Sequence, residues 1–284
     1  MTNRTRGWVA ALSVVPFLTL AACGDDPVGP DDGVRYLDEM FDVATETDLQ
    51  YGLAIDENGD EEVLMLDLYE PADDDLAQRP AVVWLHGGSF QFGHKGETAE
   101  FARSSARRGM VSVSANYRIR ENQTFDYTDP DDQIGEQAKH DAQHDVQAVV
   151  RWLRENADDL GVDPDRIFLA GYSAGGTAAL RVAAASPDDS GTSGNPGPSS
   201  SVAGVVGISA SIEEGMMEAA MGRTLLIHGT DDTKVPFANV EAACAAVASC
   251  ELVAVEGGVH NMINSASGEI ISETAKFLHS EVTP

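Results

Sequence analysis

Positive charge is scarce in this sequence. Its 284 residues include 18 Lys and Arg against 47 Asp and Glu, which gives a formal net charge of −29 at pH 7. Nucleic acids and anionic lipid surfaces repel a chain of this charge, so neither is expected as a partner. The excess of acidic residues is typical of a solvated surface that keeps a protein in solution, and a specific cationic partner is the alternative.

Cysteine is also scarce, and the first of the three cysteines ends a segment that is set apart from the fold. Arg4 and Arg6 lie near the start of the chain, and residues 8–20 form an apolar run. That run is too short for a good membrane span and is typical of a signal peptide. Cys23 comes soon after it, directly behind Leu-Ala-Ala.

This ending resembles the lipobox of bacterial lipoproteins. The resemblance implies that residues 1–22 are removed, that Cys23 is lipidated, and that the protein is exported and anchored to a bacterial cell membrane, on its periplasmic or cell-surface side. An ordinary signal peptide, cut at a small residue, is the alternative. Residues 23–33 are acidic and rich in Pro and Gly, which predicts a flexible tether between the anchor and the domain.

The other two cysteines, Cys244 and Cys250, lie six positions apart near the end of the chain. Export would place them where oxidation is permitted, so we predict a disulfide that ties the end of a helix to the next strand. Two buried thiols at the same positions are the alternative.

Residues 34–284 show no internal repeat and no break in composition, and their length suits a single α/β domain. Apolar strand patterns alternate with helical patterns, which predicts a mostly parallel sheet with helices on both faces. Asn58-Gly59 between two extended runs predicts an antiparallel hairpin at the N-terminal edge. Further along, the pattern predicts a loop over 120–135, a helix over 136–160 and a turn over 161–165.

A serine lies in a glycine-rich turn between a predicted strand and a predicted helix. Apolar residues 167–170 lead into Gly171-Tyr172-Ser173-Ala174-Gly175, and small residues with helical character follow. A serine on a sharp strand-to-helix turn has strained backbone angles, and the glycines two residues before and after it leave the space it needs. The N–H of Ala174 would then lie at a helix N-terminus, where negative charge is stabilised. The alternative is a glycine-rich turn that contains an ordinary serine.

A serine hydroxyl is a weak nucleophile unless a base takes its proton and a carboxylate orients that base. Catalytic groups in such sheets gather at the carboxyl ends of the strands. His260 follows the last predicted strand, and Asp232 follows the strand before it, with Asp231 as the competing carboxylate. His140 and His144 lie four residues apart on a predicted helix, but no third ligand accompanies them, so we expect no metal site.

With Ser173, Asp232 and His260 in this order, the chain resembles the esterase and lipase group of the α/β-hydrolases, in particular carboxylesterases and hormone-sensitive-lipase-like esterases. The resemblance is carried by GYSAGG at 171–176, HGTDDTKVP at 228–236 and HGGSF at 86–90. It implies an α/β-hydrolase fold in which Ser173 is the nucleophile, His260 the base and Asp232 the orienting acid.

The same resemblance implies an oxyanion hole made of backbone N–H groups, at the positions of Gly88, Ser89 and Ala174. Ser89 departs from the family pattern, which has glycine there. Its backbone donor is expected to survive if the position does not require a positive φ.

The function implied is hydrolysis of carboxylic esters through an acyl-enzyme, with no metal and no organic cofactor. Only residues 209–223 lie where relatives carry a lid domain, so we expect no large lid and an open site for short or exposed acyl groups. Met216 and Met217 in that segment either line the acyl pocket or are half-buried in a plain connection. The acidic loop 120–135 and the hairpin are candidates for partial cover. A serine peptidase or amidase of prolyl-oligopeptidase type and a non-catalytic binding lipoprotein are the alternatives.

Overall fold

The computed structural model of the protein describes residues 35–126, 129–186, 189, 191–213, 215–217 and 222–283. The predicted signal peptide, Cys23 and the tether lie outside the described residues. No helix within the described ranges is both long and apolar enough to cross a membrane.

Eight strands form one sheet. They are β1 (Val43–Ile55), β2 (Glu61–Pro71), β3 (Arg79–Leu85), β4 (Val111–Ala115), β5 (Val162–Tyr172), β6 (Gly204–Ile208), β7 (Arg223–Gly229) and β8 (Cys250–Val255). The order across the sheet is β1-β2-β4-β3-β5-β6-β7-β8. The hairpin β1–β2 and the pair β2–β4 are antiparallel, and every later neighbour is parallel. The predicted mostly parallel sheet with an N-terminal antiparallel hairpin is therefore confirmed.

Seven helices and one short 3-10 helix (Lys95–Thr98) surround this sheet in the described ranges. The helices are α1 (Ala99–Arg107), α2 (Gln133–Glu155), α3 (Ala157–Leu160), α4 (Ala174–Ala184), α5 (Phe237–Ala245), α6 (Met262–Ser265) and α7 (Ser267–Val282). Helices α2 and α4 contribute to one buried cluster, and α1 and α7 to the other. The sheet is thus covered on both faces, as a doubly wound α/β domain requires.

The apolar run 81–85 of the central strand β3 follows from its burial on both faces of the sheet. Successive side chains of a strand point to opposite faces of the sheet. Val83 and Leu85 belong to the cluster under α2 and α4, whereas Val82 and Trp84 belong to the cluster under α1 and α7. A strand buried on both faces reads as a continuous apolar run.

Two predicted boundaries are wrong. Residues 162–165, predicted as a turn, belong to β5. Arg79 of β3 pairs with Val162 but Ala81 pairs with Ile167, so the extra residues of β5 form a bulge. Pro164 lies in this bulge, where no N–H is needed for the hydrogen bonds between the strands. Helix α2 begins at Gln133 inside the predicted loop, because Asp132 Oδ1 accepts the N–H groups of the next turn at 3.0 and 3.1 Å. The predicted helix 136–160 is also divided, since α3 is separate from α2.

A disulfide joins Cys244 at the end of α5 to Cys250 at the start of β8, with a Cα–Cα distance of 5.4 Å. The bond ties the helix after the Asp232 turn to the strand before the His260 loop. Neither cysteine is among the residues that line the cavity beside Ser173.

The described part of the 209–223 segment is packed against the domain. Met216 and Met217 are buried in the cluster under α2 and α4. Glu213 forms ion pairs with Lys139 of α2 and Arg181 of α4. The structure therefore agrees with a plain connection rather than with methionines that line the acyl pocket. Both side chains are buried, whereas half-buried ones were expected.

Candidate active site

Ser173 occupies the junction of β5 and α4 and has a φ of +51°. A positive φ in a non-glycine residue costs on the order of 1–3 kcal/mol, and the surroundings must hold it. The Ser173 N–H donates to Ile208 O of the neighbouring strand at 2.8 Å. A Cβ on Gly171 would lie 2.4 Å from the carbonyl carbon of Gly175, and one on Gly175 would lie 2.3 Å from His86 O. Both glycines are therefore required by close backbone packing.

The structure brings together the three side chains that the sequence places 87 and 28 positions apart. Ser173 Oγ lies 2.9 Å from His260 Nε2, and His260 Nδ1 lies 2.8 Å from Asp232 Oδ2. A carboxylate only accepts, so Nδ1 carries the proton and Nε2 is left to accept from the serine hydroxyl. Asp231 is exposed, with no side-chain contact to His260.

Four N–H groups surround the buried carboxylate of Asp232. Its Oδ1 accepts the backbone N–H groups of Lys234 and Val235, each at 2.9 Å. Its Oδ2 faces His260 Nδ1 and also lies 3.2 Å from His228 Nε2, which donates to Val235 O at 2.9 Å. Burial lowers the pKa of His228, so this imidazole is neutral at pH 7.

Residues 86–89 of the HGGSF turn line the same cavity as Ser173. Gly88 has a φ of +113°, and a Cβ there would lie 1.8 Å from Phe92 O. Ser89 has a φ of +55° and Phe90 of +59°. The condition of a non-positive φ at Ser89 is therefore not met, because the buried Phe90 and the bonds from Gln91 and Phe92 to Gly88 O impose the turn.

The three predicted oxyanion donors are nevertheless available. Within the part of the chain that the structure describes, the N–H groups of Gly88, Ser89 and Ala174 donate to no protein acceptor. Unpaired backbone donors beside a serine hydroxyl are the arrangement that stabilises a developing oxyanion. Lys234 Nζ also donates to Ser89 Oγ at 3.0 Å, which links the turn after Asp232 to the HGGSF turn.

His86 is a buried residue that stabilises the HGGSF turn. Its ring stacks on Tyr117 with centroids 4.3 Å apart, and the Tyr117 hydroxyl donates to His86 O at 2.7 Å. Burial lowers the pKa of His86 from 6.5 to about 4, so the ring is neutral and its Nδ1–H donates to Gly87 O at 2.7 Å.

A cavity of about 300 Å³ opens beside Ser173. Its lining comes from the HGGSF turn and the residues after it, from the serine turn, and from the His260 loop. The lining residues are His86, Gly87, Gly88, Ser89, Phe92, Glu97, Thr98, Tyr172, Ser173, Lys234, His260, Asn261, Ile263 and Asn264. Neither the hairpin nor the described part of 120–135 contributes, so the partial cover predicted for them is not seen.

The lining residues to which the sequence analysis gave no role include Tyr172, Lys234 and Asn261. Tyr172 is part of the serine motif and Asn261 follows the predicted base, so each had a positional signal. Separately, no group of three or more His, Cys, Asp or Glu side chains in the described ranges is arranged to hold a metal ion.

The family model described as BD-FAE matches residues 66–213, which is more than half of the chain. Carboxylesterase 1C of Rattus norvegicus is 33% identical over 118 residues, covering 41% of this chain and 20% of that protein. Lipase 1 of Geotrichum candidum is 30% identical over 120 residues, covering 40% of this chain and 21% of that protein. The chain thus spans about a fifth of the length of these curated relatives.

Among solved structures, Thermogutta terrifontis esterase 2 phosphonylated by cyclosarin superimposes with a TM-score of 0.67 at 25% identity. The match covers 86% of this chain and 96% of that one. The likeness therefore extends over nearly the whole of a known esterase domain, and the α/β-hydrolase fold is shown.

Proposed function

The chain belongs to the BD-FAE family, and from that premise we propose that it is a serine esterase that hydrolyses carboxylic esters through an acyl-enzyme on Ser173. The observation that carries the proposal is the continuous contact from Ser173 Oγ through the His260 ring to Asp232. The esterase and lipase names of its relatives support the same reaction class.

In the acylation half, Ser173 Oγ attacks the carbonyl carbon of the ester while its proton passes to His260 Nε2. The carbonyl electron pair moves to oxygen, and the N–H groups of Gly88, Ser89 and Ala174 stabilise the oxyanion. Each such donor is typically worth ~100–1000-fold in rate. The bond to the alkoxy oxygen then breaks, His260 returns the proton to that oxygen, and an alcohol leaves.

In the deacylation half, water takes the place of the alcohol. His260 Nε2 removes a proton from water as the oxygen adds to the acyl carbon, and the same donors receive the second oxyanion. Ser173 leaves with the proton from His260, which releases a carboxylic acid and regenerates the site. Asp232 keeps the proton of His260 on Nδ1 and stabilises the imidazolium formed in each half.

The size of the cavity supports a short or exposed acyl group. About 300 Å³ is at the low end of the range for small-molecule sites, and no described residue of 209–223 lies over it. Polar side chains form much of the lining, including Glu97, Asn261 and Asn264. Such a site favours esters with polar groups near the scissile bond over long-chain lipids.

The test compares the purified protein with Ser173→Ala on p-nitrophenyl acetate. We expect the variant to lose at least ~1000-fold in kcat. Asp232→Asn and Asp231→Asn form a matched pair: the first should lose on the order of 10³–10⁴-fold, because the tautomer of His260 is no longer held, and the second should stay within about twofold. Equal rates for wild type and Ser173→Ala would exclude the proposal.

A fluorophosphonate probe gives a second, substrate-independent readout. It should label Ser173, and His260→Ala should abolish labelling because the hydroxyl is no longer activated. Cleavage of peptide anilides without cleavage of esters would favour the peptidase alternative.

We also propose that the protein is exported and lipid-anchored through Cys23. The Leu-Ala-Ala-Cys sequence supports this, and so does the Cys244–Cys250 bond, which suits an oxidising compartment. Labelling of the full chain with radioactive palmitate in a bacterial host should mark the wild type in the membrane fraction. Label that persists in Cys23→Ser would contradict the proposal.

A further inference from the structure

We propose that Tyr172 is a positioning residue for the base: its hydroxyl fixes the loop that carries His260. The inference rests on the proposed function. The Tyr172 hydroxyl lies 3.0 Å from His260 O and 2.8 Å from Asn261 Oδ1. Its single O–H is shared between these two acceptors as a bifurcated hydrogen bond. The residue that precedes the nucleophile thus contacts the backbone of the base.

Contacts with two neighbouring segments fix the position of Tyr172. It is the last residue of β5, where its backbone pairs with Ile208 of β6. Its ring lies against the HGGSF turn, since a Cβ on Gly87 would lie 2.6 Å from Tyr172 Cδ1. The ring centroid is also 5.8 Å from that of His260. Strand β5 and the HGGSF turn together therefore hold the hydroxyl in place.

The backbone of the His260 loop is anchored on both sides of His260. Gly257 has a φ of +68°, Gly258 follows it, and Val259 is 52% exposed. Before His260, the Gly257 N–H donates to Thr230 Oγ1 and Gly258 O accepts from the Asp231 N–H, both at 2.9 Å. After it, the Met262 N–H donates to Val259 O at 3.0 Å. Among the described residues, His260 O accepts from Tyr172 alone.

This contact matters because the ring of His260 must satisfy two partners at once. Nδ1 meets Asp232 and Nε2 meets Ser173, at 2.8 and 2.9 Å. If the backbone of His260 shifts by about 1 Å, one of these two distances is lost, and displacements of that size cost up to ~100-fold in rate. By bonding to His260 O, the hydroxyl of Tyr172 holds the His260 backbone where the ring can reach both Asp232 and Ser173.

The test is Tyr172→Phe, which removes the hydroxyl and keeps the ring against Gly87. Tyr51→Phe is the matched control, because the buried Tyr51 donates its hydroxyl to Asn116 O at 2.6 Å and lies outside the cavity lining. We expect Tyr172→Phe to lower kcat on p-nitrophenyl acetate about tenfold with KM within about twofold, and Tyr51→Phe to leave both unchanged.

Fluorophosphonate labelling separates positioning from a loss of folded protein. Tyr172→Phe should reach the same final labelling stoichiometry as wild type at a rate about tenfold lower. A kcat and labelling rate within twofold of wild type would overturn the inference, and so would a reduced stoichiometry that accounts for the whole loss. Failure of the proposed function is distinct from these results, because wild type would then be no faster than Ser173→Ala.

Discussion

His228 Nε2 lies 3.2 Å from the carboxylate oxygen of Asp232 that also faces His260 Nδ1. The neutral imidazole of His228 spans Val235 O and this carboxylate, so it closes the turn that carries the acid. We predict that His228→Phe lowers kcat about tenfold through a misplaced Asp232. His144→Phe on α2, whose ring faces Thr192, is the control for loss of a half-buried imidazole. Full activity of His228→Phe would contradict the assignment.

The fold was predictable because its signals are local. The apolar run of β3, the alternation of strands and helices and the glycine spacing around Ser173 are each visible within a few residues. The positions of Asp232 and His260 directly after successive predicted strands identified the candidate partners of the serine. What the sequence did not show are contacts between distant segments: Tyr172 meets the backbone of a residue 88 positions away, and the Ser89 backbone follows the burial of Phe90.

The HGGSF turn allows the role of its backbone N–H groups to be tested separately from that of the Ser89 side chain. Because Ser89 has a positive φ, Ser89→Gly removes strain and keeps the N–H, so we predict kcat within about twofold of wild type. Gly88→Ala should abolish activity, since its Cβ would overlap Phe92 O. Steady-state kinetics on both variants, with circular dichroism to verify folding, decide the matter. A loss above ~100-fold in Ser89→Gly would instead assign the role to the serine hydroxyl.

Burial of His86 predicts an acid-sensitive stability. Its pKa is about 4 in the folded protein against 6.5 in the unfolded chain, so the unfolded chain binds the proton first as pH falls. The contribution of His86 to the free energy of unfolding is fully present above pH 6.5. It falls by about 3 kcal/mol as the pH is lowered to about 4. Urea unfolding across this range should show a steeper decline for wild type than for His86→Asn. Parallel curves would refute the prediction.

The disulfide predicts a change in stability without a change in chemistry. Cys244 and Cys250 enclose a short loop, for which chain entropy gives about 2 kcal/mol. Reduction should therefore lower the Tm by several degrees, whereas kcat at 25 °C should not change, because neither cysteine lines the cavity. Calorimetry with and without dithiothreitol measures the effect. The double variant Cys244→Ser/Cys250→Ser should not respond to the reductant, and an equal response would assign the shift to another cause.

Glu213, Met216 and Met217 fasten the described part of the 209–223 segment to α2, α4 and the core, away from the cavity. A dissolved substrate molecule therefore reaches the serine without first displacing this stretch of protein. We expect hydrolysis to follow simple saturation by monomeric substrate, with no lag at the start of the reaction. The rate should show no upward jump at the concentration where the substrate begins to form micelles or droplets.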